Sequence, residues 1–257
     1  MKNNELLRVY DDVYKNDSSK FYSFNTFPES KLIIEMLPWW NGLKVLEIGC
    51  GEGRLAAMLG FAGAESVDAI DYSQEAINIA QGQMNLENVH YQCVDYHEIS
   101  GQYDVVVLQG VLEHLDEPFG ELEYILEKLV RQDGVVITSS PSFLNPRGYV
   151  WMTLQLLFDI PMSLTDLHFL CPFDFENFSK EKGYSMEFRS IDQDRASGER
   201  LVIDFQKRLP NALKDAGMDN SKVDRLLEWL SQATPYQQRD EFSGATVAYK
   251  MSKSNES

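Results

Sequence analysis

From residue 44 to 140, short runs of β-branched and aliphatic residues alternate with amphipathic helical spacing, and this rhythm constrains the fold more than any other feature of the chain. Strand and helix repeated in this way specify a parallel sheet flanked by helices. Val45-Leu46-Glu47-Ile48 reads as the first buried strand and Arg54 to Phe61 as its helix; Val67-Asp68-Ala69-Ile70 reads as the second strand, closed by Asp71. Ser73 stands where an N-cap belongs, with Glu75 in the first turn and Ala76, Ile77, Ile79 and Ala80 as the apolar stripe. Val89 to Val94 predicts a third strand and Tyr103 to Leu108 a fourth. Pro118 to Val130 predicts a long amphipathic helix, and Val135 to Thr138 a fifth strand after the turn Asp133-Gly134.

The rhythm stops at Ser139-Ser140-Pro141. Residues 141 to 171 are rich in Trp, Phe, Leu, Met and Pro, which suits either a cap over a pocket or a loop packed on the core. Phe173 to Lys182 reads as a helix stopped by Gly183, and Tyr184 to Ile191 as a strand. A charged segment from Asp192 to Gln238 follows, with helical spacing at Val223, Leu226, Leu227 and Leu230; Phe242 to Met251 closes the sheet, and Ser252 to Ser257 reads as a frayed end.

At 257 residues and 44% hydrophobic, the chain can bury one core or at most two. Its 40 acidic and 23 basic side chains leave a net charge of −17 with no Lys/Arg cluster, which argues against nucleic acid as a partner. Without an apolar run of membrane-spanning length, and with a polar Met1-Lys2-Asn3-Asn4-Glu5 start, the expectation is a cytoplasmic protein that makes no use of a membrane. Cys50, Cys93 and Cys171 fit neither a metal pair nor a disulfide framework and read as free thiols.

After the first strand comes Glu47-Ile48-Gly49-Cys50-Gly51-Glu52-Gly53-Arg54. The dinucleotide fingerprint needs a glycine where Arg54 stands, and Glu52 would sit beside a pyrophosphate, so an NAD site is disfavoured. An acidic loop suits a ligand without phosphates that carries positive charge. Glycines alone also serve any tight strand-to-helix turn. Asp71 closes the second strand 20 residues after Gly51, where an acid accepts from ribose hydroxyls, and Asp95 closes the third, where it can accept from an adenine amino group. Each has a plainer reading as a solvated carboxylate at a strand end.

Val45 to Gly53, Ile70-Asp71-Tyr72-Ser73, Asp95, Leu108 to Leu115 and Gly134-Val135-Val136-Ile137 together resemble the class I S-adenosylmethionine-dependent methyltransferases, in their small-molecule branch. The resemblance covers about residues 40 to 140 well and 165 to 191 loosely. It implies an α/β, Rossmann-like, seven-stranded mostly parallel sheet with helices on both faces and a last antiparallel strand. It implies S-adenosyl-L-methionine as cofactor, with Gly49, Gly51 and Gly53 around the methionine part, Asp71 on the ribose, and Asp95 with Tyr96 at the adenine. Glu47, Tyr72, Gln109 and Tyr14 complete the expected cofactor-binding set. Residues 1 to 257 then read as one methyltransferase domain with an N-terminal lid (1–40), a cap insertion (141–175) and a helical insertion (192–241). In that lid Tyr10 and Tyr14 are the candidates to face a sulfonium, whereas Phe24 and Phe27 suit packing.

The fourth strand leads into Gln109-Gly110-Val111-Leu112-Glu113-His114-Leu115, the loop that borders the acceptor in the family. His114 has the chemistry of a general base; alternatively Glu113 and His114 order the loop. His168, in Asp166-Leu167-His168-Phe169-Leu170, resembles a His-x-x-x-Phe stretch that faces the acceptor cavity in many relatives, or is a structural histidine beside a solvated Asp166. Some relatives hold a divalent metal with Glu-x-x-Glu-His at the fourth-strand loop, but Gly110 stands at the first glutamate, so no metal is expected. The leading expectation is methyl transfer to an O or N atom of a small metabolite of sugar or natural-product type. The alternatives are a protein methyltransferase and a non-catalytic S-adenosylmethionine-binding protein. The acceptor and the oligomeric state are not legible in the sequence.

Overall fold

The computed structural model describes residues 27–83, 85–160, 167–191, 196–238 and 240–254. Its strands are β1 (Lys44–Ile48), β2 (Ser66–Asp71), β3 (Val89–Cys93), β4 (Tyr103–Gln109), β5 (Val130–Pro141), β6 (Tyr184–Ile191) and β7 (Thr246–Lys253). They form one sheet in the order β3-β2-β1-β4-β5-β7-β6. Neighbours β3 to β5 pair in parallel, and β7 runs antiparallel between β5 and β6. The fold is therefore the expected Rossmann-like α/β sheet with its last strand reversed. The chain steps outward from β1 to β3 and then returns to place β4 on the other side of β1. That reversal opens a crevice at the carboxyl ends of β1 and β4, where ligands of open α/β sheets bind.

Both faces of the sheet are covered, which is why its central strands are continuous apolar runs. Val105 and Val107 face a cluster built with Leu32 and Ile33 of α1 (Phe27–Glu35) and Leu55 and Leu59 of α2 (Arg54–Phe61). Ile77 of α3 (Gln74–Gln83) joins the same cluster. Val106 and Leu108 face the other way, onto Leu122 of α4 (Pro118–Tyr124) and, past α5 (Pro146–Phe158), Phe175 of α6 (Pro172–Lys182).

A third cluster lies apart from the sheet faces. Trp151 of α5 packs with Leu201, Phe205 and Leu209 of α7 (Gly198–Asp215) and with Val223, Leu227 and Leu230 of α8 (Val223–Ala233). Trp151 is fully buried with its ring 5.5 Å from that of Phe205, and the Arg208 guanidinium lies 5.4 Å over the same indole. The expected cap and the expected helical insertion thus share one apolar core.

Several local expectations differ: Phe27, expected to pack, is 52% exposed, and the closing strand begins at Thr246 rather than Phe242. The helix predicted to run to Val130 stops being α-helical at Tyr124, passes through a π-turn over Ile125–Leu129, and releases Val130 into β5. Asp133-Gly134 lies within β5, where the register shifts between Tyr103 and Val105; a Cβ on Gly134 would come 2.7 Å from the Asp104 carbonyl oxygen, so only glycine passes that irregularity. The tail expected to fray from Ser252 is strand through Lys253, because Ser252 and Lys253 pair with Ser185 and Tyr184. Among the described residues, no helix is long and apolar enough to cross a membrane.

Candidate active site

The turn after β1 is shaped by left-handed backbone at Gly49, Gly51 and Gly53, with φ of 75°, 52° and 79°. Gly49 and Cys50 donate their N–H groups to the Ile70 carbonyl, tying the turn to β2 (2.8 and 3.0 Å). A Cβ at Gly49 would lie 2.6 Å from Val111 Cγ2, and one at Gly53 would lie 2.7 Å from the Tyr91 ring. These two glycines are therefore required by the protein's own packing as well as by φ. Tyr91, which the sequence reading did not single out, also donates its hydroxyl to the Gly53 carbonyl at 3.2 Å.

Two carboxylates gather at this turn. Asp71 accepts from the Gly51 N–H at Oδ2 and from the Ser73 N–H at Oδ1, each at 2.9 Å, and is 8% exposed. Glu47 is 2% exposed, and its Oε2 has no hydrogen-bond partner among the described residues. Burial, then the charge of Asp71, pushes its carboxyl well above the usual range, against an opposing bond from the Ala56 backbone. The same burial and the same two carboxylates push the Cys50 thiol up. A cationic ligand at this turn would relieve the repulsion between the two acids.

The tips of β2 and β3 are joined by Val94 N–H donating to the Asp71 carbonyl at 3.2 Å. Beyond it Asp95 caps a short 3₁₀ turn, Tyr96–Glu98, and its carboxylate meets the backbone and ring of His97. Tyr96 is half-buried; burial, then a hydrogen bond to Glu121, pushes its hydroxyl pKa up. Tyr72 is 42% exposed at the mouth of the crevice.

On the far side of the crevice, Gly110 N–H donates to the Ser139 carbonyl at 3.0 Å. Helix α1 closes over these tips: Ser30 Oγ donates to Gln109 Oε1, and Ser139 Oγ donates to Glu29 Oε1, both at 2.8 Å. His114 ends a 3₁₀ turn, Leu112–His114. The Glu113 carbonyl accepts from the Leu167 and His168 N–H groups at 2.8 and 3.1 Å, which brings His168 to the His114 loop across more than 50 residues of chain. The His168 Nε2 stands 3.1 Å from the Asp116 carbonyl oxygen. Tyr10, Tyr14, Phe24 and Asp166 lie outside the described residues, as does most of the expected lid. Among the described residues, no group of three or more His, Cys, Asp or Glu side chains could hold a metal ion.

Residues 46–136, the stretch that builds the crevice, match the family described as "Methyltransferase domain". Over that stretch the chain is similar to methyltransferases. Among curated relatives, it is 29% identical over 157 residues to the ubiquinone biosynthesis O-methyltransferase of Acinetobacter baylyi, covering 57% of this chain and 65% of that protein. The Neisseria meningitidis serogroup A protein of the same name is 28% identical over 153 residues, covering 55% and 63%. The chain thus spans just under two thirds of the length of these relatives. The fold is also that of the DhpI–SAH complex structure, with a TM-score of 0.60 and 16% identity over 97% of this chain and 96% of that one. A chain from the complex between the Haloferax volcanii Trm112 methyltransferase activator and a methyltransferase gives a TM-score of 0.62 and 14% identity, covering 96% and 98%.

The donor set fits S-adenosyl-L-methionine: glycine-shaped backbone, two buried carboxylates and no basic cluster for a phosphate. Gly49, Gly51, Gly53, Glu47 and Asp71 come together in one turn, with Tyr72, Asp95 and Tyr96 at the adjoining strand tips and Gln109 across the crevice. The sequence reading missed Tyr91, Ser30 and His97. Their partners lie 38, 79 and 24 residues away, and no periodic signal links such pairs.

Proposed function

We propose that the protein transfers a methyl group from S-adenosylmethionine to an oxygen of a small acceptor. The observation that carries this reading is the pairing of Asp71 with the Gly51 N–H beside the buried Glu47, which builds an anionic, phosphate-free cradle at the switch point of the sheet. The preference for oxygen follows the O-methyltransferase relatives. Asp71 holds the ribose hydroxyls, Glu47 balances the cationic methionine end, and Asp95 with Tyr96 receives the adenine. Bound there, the cofactor supplies a sulfonium methyl that needs no further activation. What remains for the protein is to align an acceptor and to take its proton.

His168 is our first candidate for the proton. A carbonyl oxygen only accepts, so the contact with Asp116 fixes the hydrogen on Nε2 and leaves the lone pair of the neutral ring on Nδ1. His114, on the loop that His168 is bonded to, is the second. Titration calorimetry with S-adenosylmethionine and its demethylated product tests the cofactor half: heat with both is expected, and none with either removes the reading. Transfer of labelled methyl into a metabolite extract, before and after everything above a few kilodaltons is removed, tests the acceptor half. Label only in the large fraction would favour a protein acceptor, and binding without transfer a non-catalytic role. His168→Asn should lower turnover about 10²- to 10⁴-fold with cofactor affinity kept; unchanged turnover would pass the role to His114.

A further inference from the structure

We propose that His97 is a positioning residue for the adenine end of the cofactor: it holds one oxygen of Asp95 against α4 and so aims the other at the adenine amino group. This rests on the cofactor reading above. Asp95 Oδ1 accepts from the His97 backbone N–H at 2.9 Å and faces the ring Nδ1 at 2.8 Å. Both bonds fall on Oδ1; among the described residues, Oδ2 takes none. The other ring nitrogen, Nε2, stands 3.1 Å from Glu121 Oε2 on α4. Carboxylate oxygens only accept, so the ring donates to both acids only as imidazolium, whereas the neutral ring turns a lone pair on one of them.

The ring is further fixed by aromatic contacts, with centroids 4.2 Å from Tyr96 and 4.8 Å from Tyr124. Asp95, His97 and Glu121 therefore form a chain of contacts that ties the β3 tip to α4. The titratable groups around the imidazole are Asp95, Tyr96 and Glu98 from its own turn, and Glu121 and Tyr124 from α4. Asp95 is 56% and His97 45% exposed in the side chain, so solvent screens the charges and the effect on binding is modest.

The experiment titrates the full chain with S-adenosylhomocysteine and with its 6-deaminated analogue, S-inosylhomocysteine. The same titrations are made on His97→Gln and Glu121→Gln, the second guarding against misfolding of the first. In both variants the preference for the 6-amino ligand should shrink about two- to fivefold, with affinity for the deaminated ligand kept. Variants that keep the original preference overturn the proposal while leaving the cofactor reading intact. Failure of every form to bind S-adenosylhomocysteine overturns the cofactor reading, and this inference with it.

Discussion

The glycine turn and the helical cap are built on opposite principles. The turn spans residues 47 to 73 and is held by backbone: positive φ at three glycines, two N–H groups on one carbonyl, and two on one carboxylate. The cap is held by side chains, with Trp151, Phe205 and Leu227 packed from helices far apart in the chain. A backbone-built site tolerates little variation, because each conformer is set by sterics. A side-chain core of similar volume can be refilled in many ways. The first arrangement suits a ligand of fixed shape, and the second a region whose shape its side chains set.

The largest effect expected from breaking this contrast is in the cap. Trp151→Ala should cost about 3–5 kcal/mol, seen in denaturant unfolding and in hydrogen exchange over α5, α7 and α8, while affinity for S-adenosylhomocysteine stays within about twofold. A parallel loss of affinity would mean that turn and cap act as one cooperative unit.

Next comes the turn itself. Gly49→Ala meets a left-handed φ, about 1–2 kcal/mol by itself, and a 2.6 Å approach to Val111. Thermal unfolding should report the strain, and calorimetry a loss of cofactor affinity of tenfold or more. Asp71→Ala removes the acceptor for two buried N–H groups and, on the proposed reading, for the ribose, about 1–3 kcal/mol in ligand affinity; equal binding by the variant would overturn that placement of the ribose.

The smallest effect sharpens the comparison through pH. Glu47 has a carboxyl raised in the folded state, so the folded chain binds that proton more tightly than the unfolded chain does. Without ligand, stability should fall as pH rises from the ordinary carboxylate range through the raised value. Glu47→Gln should flatten this slope and raise the melting temperature at neutral pH, with no gain in acid. A slope that survives the substitution would mean that another group carries it.

Much of the sheet was legible because burial on both faces leaves continuous apolar runs. Val105-Val106-Val107-Leu108 needs no partner to be recognised as a central strand. The spacing from Gly51 to Asp71 was legible too, since strand length and the following turn fix where an acid must stand. The π-turn before Val130 was not: Ile125, Leu126 and Leu129 carry the helical stripe whether the backbone is α or π. Nor was the length of β5, which depends on Tyr103 pairing with Val130 across an irregular register. His97 escaped notice as one polar residue in a short turn, its meaning supplied by Glu121 on another element.

By itself, then, the sequence determined which segments extend, which coil, and where the chain must turn left-handed, because these follow from periods of a few residues and from local sterics. Only the tertiary structure decided that His168 rests on the Glu113 loop, that Ser30 reaches Gln109, and that two insertions share the core around Trp151. Contacts of that kind join segments dozens of residues apart. They are selected by the packing of the whole molecule, to which no single stretch of sequence holds the key.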